Sequence, residues 1–441
     1  MTTNRRRKAW LILTVSLAGI AAMIVALVFL LNPTMTRFVE SPQFRMELEK
    51  ETAKGLHFPT VSFQPIHRIG FLEATSKAAN ARKGRKAMTS IDAECVTAQF
   101  NPAGVLLRRW QIDDLHVDRA EIGIQIYEPT PEPKLAKPWF AIFLPDRVYL
   151  KHVWSDNADV TWPMRGKKGG IFGTRLVVTP HGCDFEYHAS KGVLRNPLIP
   201  DLAVRKVHLL ITKKLFALYE LDLGSASGTV RAEGTSATGG DKNLDFKFTW
   251  ADLPLREWLP QNWAANFRGQ SNGDLRWTGK DFKLGSATMT GALQVKNGQV
   301  SGLNLLDQIA ALTARPDLRE VRLTDCEARF RREKSDCEIS DIGIEEKNKF
   351  RIEGNVSFHD QSLGGTLQLG LARDYLNWLP KPEEVFSRKN NGYLWTTIHL
   401  SGTLQAPKQD LSPRILNALK GSPWAFLGAA LREFGSWLKS D

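Results

Sequence analysis

A chain of 441 residues, 42% of them hydrophobic, has ample material for a buried core and room for two or three domains, although a long all-β sheet can run as one. Its formal net charge of +12 is concentrated in two acid-free basic runs, Arg5 to Lys8 and Lys77 to Lys86, which leaves the rest of the chain close to neutral. That distribution excludes a uniformly basic nucleic-acid binder.

Residues 1–9 form a basic tail, and Trp10 to Leu31 (WLILTVSLAGIAAMIVALVFLL) carry no charge. At 1.5 Å per residue the run reaches about 33 Å, enough to cross a hydrocarbon core of roughly 30 Å, so a transmembrane helix is expected over 10–31. Arg5, Arg6, Arg7 and Lys8 hold the N-terminus in the cytoplasm and place everything after Leu31 on the far side. A cleaved signal peptide is the rival reading; the length of the run and the poor cleavage site Asn32-Pro33 count against it. Ser41 then caps a short helix, with Pro42 in its first turn, Phe44 above Leu48, Lys54 in the last turn and Gly55 as the stop.

The remainder of segment 32–127 reads as strands. They run from Val61 to Leu72 and from Ile91 to Ile126, where IDAECVTAQF, GVLLRRWQI and DRAEIGIQIY are separated by Asn101-Pro102 and Asp113-Asp114. The basic run Lys77 to Lys86 is expected to be a loop, either solvated or lying on anionic headgroups. Residues 128–138 (EPTPEPKLAKP) form a stiff Pro-rich linker or insertion. In segment 139–284, Val148 to Trp162, Thr174 to Val178, Asp184 to His188, Leu202 to Thr212, Leu215 to Leu223 and Gly228 to Gly234 read as further short strands. His181, Cys183 and His188 lack a CxxC or HxxxH spacing, so no metal is assigned. Gly166 to Gly170 lacks phosphate-loop spacing and reads as a hairpin turn.

Segment 285–413 has the clearest pattern. In FRIEGNVSFHDQSLGGTLQLGL, Phe350, Ile352, Gly354, Val356 and Phe358 alternate with Arg351, Glu353, Asn355 and Ser357. After a turn at His359 to Ser362, Leu363, Leu367, Leu369 and Leu371 restore the alternation. This predicts an antiparallel hairpin with one oily and one wet face. Upstream, Leu293 and Val295 lie on a strand that an Asn297-Gly298 turn joins to Val300, and Leu306 and Ile309 are one turn apart on a short helix. An internal repeat relates Phe246 to Pro260 (FKFTWADLPLREWLP) to Leu367 to Pro380 (LQLGLARDYLNWLP), matching Trp258 with Trp378; Asn272-Gly273 and Asn391-Gly392 then each open a strand. The turn at Glu333 to Asp336 pairs Arg332 with Cys337 and sets Cys326 opposite Gly343, too far for a disulfide. Segment 414–441 holds amphipathic helix, with capped starts at Ser412-Pro413 and Ser422-Pro423. Trp424, Leu427, Leu431, Phe434 and Leu438 share one face, which either plugs the end of the sheet or docks on a membrane or partner.

The segments GALQVKNGQVSGLNLLDQIA, FRIEGNVSF, GGTLQLGL and LSGTLQAPK resemble, in order and spacing, the C-terminal region of the AsmA-like family of bacterial envelope proteins, which includes the larger TamB-type proteins. The resemblance covers roughly Gly285 to Pro413; the N-terminal strands fit more loosely, and the Pro-rich insertion is not part of the pattern. It implies an inner-membrane anchor, with the N-terminus cytoplasmic and the bulk periplasmic. The anchor carries a long antiparallel β-sheet curled into an open apolar trough and used in outer-membrane biogenesis and phospholipid traffic. The family motifs are structural glycines and alternating apolar positions, so no catalytic residue is carried over and no enzyme is indicated.

The residues themselves require a cover for the oily face, and the chain offers few helices to provide one. The sheet therefore covers itself or is covered by a ligand. An acyl chain of ~16 carbons costs on the order of 13 kcal/mol in water at ~0.8 per methylene, so lipid is a fitting cover. The groove-lining candidates are Leu293, Val295, Phe350, Ile352, Val356, Phe358, Leu367, Leu369, Ile398 and Leu400. The expected partners are the membrane and phospholipid, with envelope proteins as a further class and no cofactor. The alternative function is a scaffold that positions envelope-assembly partners through exposed sheet edges. A smaller export component of the lipopolysaccharide-bridge type shares the layout but needs a shorter chain.

Overall fold

The computed structural model describes residues 32–419, other than 85–87, 102, 107–109, 126–147, 165–166, 182–183, 198, 213, 238–242, 281–285, 303–305, 308–309, 311–314 and 404–405. The protein is mainly β: the described residues form 24 strands with a few short helices. They fall into two compact units, within Met1–Pro197 and Leu198–Asp441. The expected transmembrane run Trp10 to Leu31, the Pro-rich stretch 128–138 and the helix carrying Trp424 to Leu438 lie outside the described residues. Among the described residues no helix is long and apolar enough to cross a membrane.

The helix Pro42–Leu56 opens as expected, with Ser41 Oγ accepting the Phe44 N–H at 3.2 Å. It stops two residues later than Gly55. His57 takes the left-handed φ of 60°, and the Phe58 N–H reaches back to the Ala53 carbonyl at 2.9 Å. Phe58 then packs on Ala53 and Val61, so buried contact places the stop where glycine alone did not. About two and a half turns further up the helix, Phe44 is buried with Ile66 and Ala74, and Leu48 packs beside them.

The strands of this unit are Thr60–Phe63, Ile66–Arg68, Glu73–Arg82, Met88–Asn101, Trp110–Ile124, Val148–Leu150, Val153–Met164, Lys167–His181, Asp184–Ser190 and Val193–Asn196. The start of the basic run is strand rather than loop, because Ala74, Ser76, Ala79 and Ala81 bury one face of Glu73–Arg82 while Lys77 and Arg82 point to solvent on the other. Asp113-Asp114 does not break the chain either; both lie within Trp110–Ile124. Asp113 accepts from Asn101 Nδ2 at 2.6 Å and Gln111 Nε2 at 2.8 Å, and Asp114 from Trp154 Nε1 at 3.0 Å. GVLLRRWQI, read as one strand, begins instead with a helical turn, Ala103–Leu106. The sheet is also not wholly antiparallel. Trp110–Ile124 runs parallel to Val148–Leu150 and Val153–Met164. A parallel return needs a long crossover, and residues 125–147, with the Pro-rich stretch among them, supply its length.

Register lines up Phe63, Ala79, Ala93, Ala120, Ala158 and Thr174 across neighbouring strands. The alanines are the floor of a small core, with Val96, Ile122 and Leu176 packed over them, and Ala158 is 0% exposed. Extra volume has nowhere to go there. Ala158→Leu should therefore cost about 1–3 kcal/mol, read as a lower urea midpoint of the full chain, whereas Arg119→Ala on the solvent side should stay within about 0.5 kcal/mol.

In the second unit every described strand pair is antiparallel. The expected hairpin is present as Phe350–His359 and Ser362–Ala372, with Ile352 opposite Leu369 and Val356 opposite Gly365. The two repeat copies share a plan. Leu244–Pro254 leads through the turn Leu255–Trp258 to an antiparallel return, Phe267–Gly279, and Ser362–Ala372 leads through Arg373–Tyr375 to Tyr393–Gly402. Their Asn-Gly pairs differ. Asn391-Gly392, at φ 50° and 84°, forms the two-residue turn between Arg388–Asn390 and Tyr393–Gly402. Asn272-Gly273 lies inside Phe267–Gly279, where a Cβ on Gly273 would come within 2.4 Å of Trp250.

Asn297-Gly298 is not a turn but an irregularity within Thr288–Ser301, with Asn297 at φ 52°. Beyond it Gly298 to Ser301 pair with Glu320–Leu323, while Thr288 to Gln294 pair with Asp325–Glu333. The helix expected around Leu306 and Ile309 falls largely outside the described residues. Arg332 faces Cys337 as expected, but a shift between Glu327 and Arg329 puts Cys326 opposite Ile344 rather than Gly343. The C-terminal helix Leu411–Ala418 starts one residue before Ser412, with Asp410 at its N-cap.

Candidate functional site

The two faces of the second unit's sheet differ chemically along the rows that register traces. Register connects Val207, Leu221, Ala232, Phe248, Leu275, Gly291, Phe330, Ile339, Val356, Gly365 and Leu400 strand by strand, and none of these residues is polar. A row on the opposite face connects Glu233, Lys247, Arg276, Thr290, Arg331, Glu338, Ser357 and Gly364, polar or charged except for its last glycine. Paired residues share a face, so these rows make one apolar and one polar surface.

Local bulges keep the apolar row on its face. Trp250 and Leu253 are three apart, yet pair with Gly273 and Ser271, because the chain kinks at Asp252, φ 54°. Ile339 and Ile342 do the same around Asp341, φ 51°. Aspartate tolerates the left-handed region better than most residues, and the extra residue resets the alternation that would otherwise turn the next apolar side chain to water.

All ten groove-lining candidates lie on this apolar face. Leu293 and Val295 lie on Thr288–Ser301; Phe350, Ile352, Val356 and Phe358 on Phe350–His359; Leu367 and Leu369 on Ser362–Ala372; and Ile398 and Leu400 on Tyr393–Gly402. Leu367 sits opposite Ile398 and Leu400 opposite Gly365. None of the ten is fully buried, and Leu293 is 36% exposed. Sequence reasoning left out the other half of the face, including Phe248, Trp250, Leu275, Phe330 and Ile339. The alternation FKFTW over Phe246 to Trp250 carried the signal. Along that half the Phe216 and Phe246 rings come within 6.2 Å of each other across an intervening strand, and the Trp250 indole donates to Ser271 Oγ at 2.8 Å.

One end of the face is roofed. Leu376, Leu379, Val385 and Phe386 pack with Ile415 and Leu419 into a buried cluster that presses on Leu369, Leu371 and Leu394. Leu369 is therefore packed against the protein's own cluster. A polar clasp adjoins the start of this roof. The Tyr375 hydroxyl donates to Asp317 Oδ2 at 2.6 Å, the Arg315 guanidinium lies 4.1 Å from the Tyr375 ring centre, and Lys349 Nζ bridges Asp317 at 3.7 Å and buried Glu346 at 2.6 Å. The Tyr375 bond, helped by Arg315, holds the Asp317 carboxyl below its ordinary value.

The polar face offers a different environment. A shallow hollow of about 570 Å³ is lined by Glu233, Lys247, Asp245, Asp274 and Arg276, with Arg276 forked onto Asp245 at 3.0 and 2.7 Å. In the first unit, His181 and His188 meet opposite oxygens of Glu186, at 3.2 and 3.1 Å, and Cys183 lies outside the described residues.

Several edge positions are capped by side chains. In the first unit Glu49 accepts the Phe63 N–H at 2.8 Å and Glu40 the Arg68 N–H at 3.2 Å. In the second, Asp410 accepts the His399 N–H at 2.8 Å, and Arg414 donates to the Thr397 carbonyl. Side chains thus occupy backbone positions that another strand would use.

No family model, curated protein or solved structure matches the chain.

Removing the ring of Phe386 from the roof should cost about 3–5 kcal/mol in Phe386→Ala, measured as a drop in the unfolding midpoint. Because Asp317 titrates below its unfolded value, the clasp's contribution is complete above that unfolded value and is lost as pH falls through the lower folded one. Tyr375→Phe should move this loss to higher pH in stability profiles across the acid range; an unchanged profile would show that the clasp does not hold the roof.

Proposed function

We propose that this chain is a membrane-anchored periplasmic protein of AsmA-like type. Its apolar sheet face holds or conducts phospholipid at the bacterial inner membrane for outer-membrane biogenesis or envelope homeostasis. The observation that carries the reading is the row from Val207 to Leu400, apolar on every strand it crosses and largely left half-exposed. A face of that kind fits acyl chains, which need a continuous apolar surface and no specific hydrogen bonds. The anchor and the curled, open form of the sheet belong to the same reading, supported by the uncharged run Trp10 to Leu31 and by the resemblance of the C-terminal segments. Edge-to-edge recruitment of partners gains no comparable support, since Glu40, Glu49, Asp410 and Arg414 already occupy edge positions.

A photoreactive phenylalanine analogue placed singly in the full chain in bacterial membranes tests the reading. Crosslinks to phospholipid are expected from Phe248 and Val356, and none from Lys247 and Ser357 on the polar face. Protein adducts alone from the apolar positions, or equal lipid adducts from both faces, would contradict it. Val356→Asp should leave a folded, membrane-associated protein with less bound lipid. If the face were instead closed core, the unpaired charge would cost several kcal/mol and the fold would fail.

A further inference from the structure

The first unit carries three large apolar side chains that stay substantially exposed. Phe38 is 53% exposed although its ring lies 5.2 Å from that of buried Phe44, Ile69 is 57% exposed and Phe71 47%. Ile69 and Phe71 sit on a tight loop closed by bonds from the Ile69 and Gly70 N–H groups to the Glu73 carbonyl, at 3.0 and 3.2 Å. Arg68 pins this loop to the segment that directly follows the uncharged run. Its guanidinium donates to the Asn32 carbonyl at 2.9 Å, to Thr36 Oγ1 at 2.8 Å and to the Phe71 carbonyl at 2.8 Å, and lies 5.5 Å from the Phe71 ring centre. Residues 32–39 are helical, so Phe38 stands about 9 Å along the helix axis from Asn32.

An isolated exposed apolar residue needs no explanation, but Ile69 and Phe71 lie on a loop that Arg68 fastens to the same short helix that carries Phe38. We infer that Phe38, Ile69 and Phe71 form a foot that rests in the interfacial layer of the bilayer which Trp10 to Leu31 crosses. The inference depends on that run being the anchor, as in the proposed function. Asn32 follows the run without a linker, so the loop fastened to it lies at headgroup level, where aromatic side chains gain from being half in hydrocarbon and half in water. Arg68, between its carbonyl partners and the Phe71 ring, sits where lipid phosphates are also within reach. The foot fixes the tilt of the first unit against the membrane; an anchor alone would leave it free to swivel.

The test uses the full chain, with native cysteines replaced, in phosphatidylcholine vesicles carrying lipid nitroxides both near the headgroup and in mid-chain. Single cysteines at Leu17→Cys, Ile69→Cys, Phe71→Cys and Phe185→Cys are labelled with an environment-sensitive fluorophore. Residues 69 and 71 should lose emission to the nitroxides along with 17, while 185, exposed but remote in sequence from the anchor, should not. Quenching at 17 without quenching at 69 and 71 would overturn the foot and leave the anchor standing, whether those labels report water or a protein cover. Absence of quenching at 17 as well would remove the anchor and the foot together.

Discussion

A sheet that is apolar on one face must have that face covered, and the rest of this protein is arranged around that requirement. Water accepts the row from Glu233 to Ser357 without cost; it does not accept the row from Val207 to Leu400. The chain answers locally in several ways. The helix Pro42–Leu56 covers the first strands through Phe44 and Ala53, aromatic rings lean over glycine at Gly273, and the cluster around Leu376 and Phe386 roofs the far end of the hairpin. Within the second unit the rest of the apolar row is left half-exposed, and that remainder is what a ligand would occupy.

Edges pose the second problem of a large sheet. A strand with free N–H and carbonyl groups invites pairing with any other strand, and in each unit some edge positions are capped by short-range chemistry: by Glu40 and Glu49 in the first, by Asp410 and Arg414 in the second. The same elements that cover apolar surface also blunt the edges. The short helical segments are therefore tied to the sheet by both packing and hydrogen bonding.

Much of this was legible in the residues. Period-two alternation located the hairpin of Phe350–His359 and Ser362–Ala372, most other strands and the ten apolar positions, because alternation is a direct consequence of strand geometry. The failures share a cause. Asp113-Asp114, Asn272-Gly273 and Asn297-Gly298 have turn chemistry but lie within strands, where a side-chain partner, a tryptophan over a glycine and a bulge take them up. At Asp252 and Asp341 the kink shifts the alternation by one, so a reader following strict period two loses the face where the structure keeps it. The small-residue strand Glu73–Arg82 was hidden for a different reason: its alanines become core only through Val61, Phe63 and their neighbours, and its basic residues resemble those of a loop. The parallel pairing of Trp110–Ile124 had no local signal beyond the length of the crossover.

The central claim is that the open part of the apolar face carries lipid. Native mass spectrometry of the full chain, released from detergent, tests it most directly when wild type is compared with a Phe248→Asp, Val356→Asp double variant. The account predicts phospholipid adducts on the wild type that survive detergent exchange and are lost from the folded double variant. Equal adducts on both proteins, or none on the wild type, would contradict it.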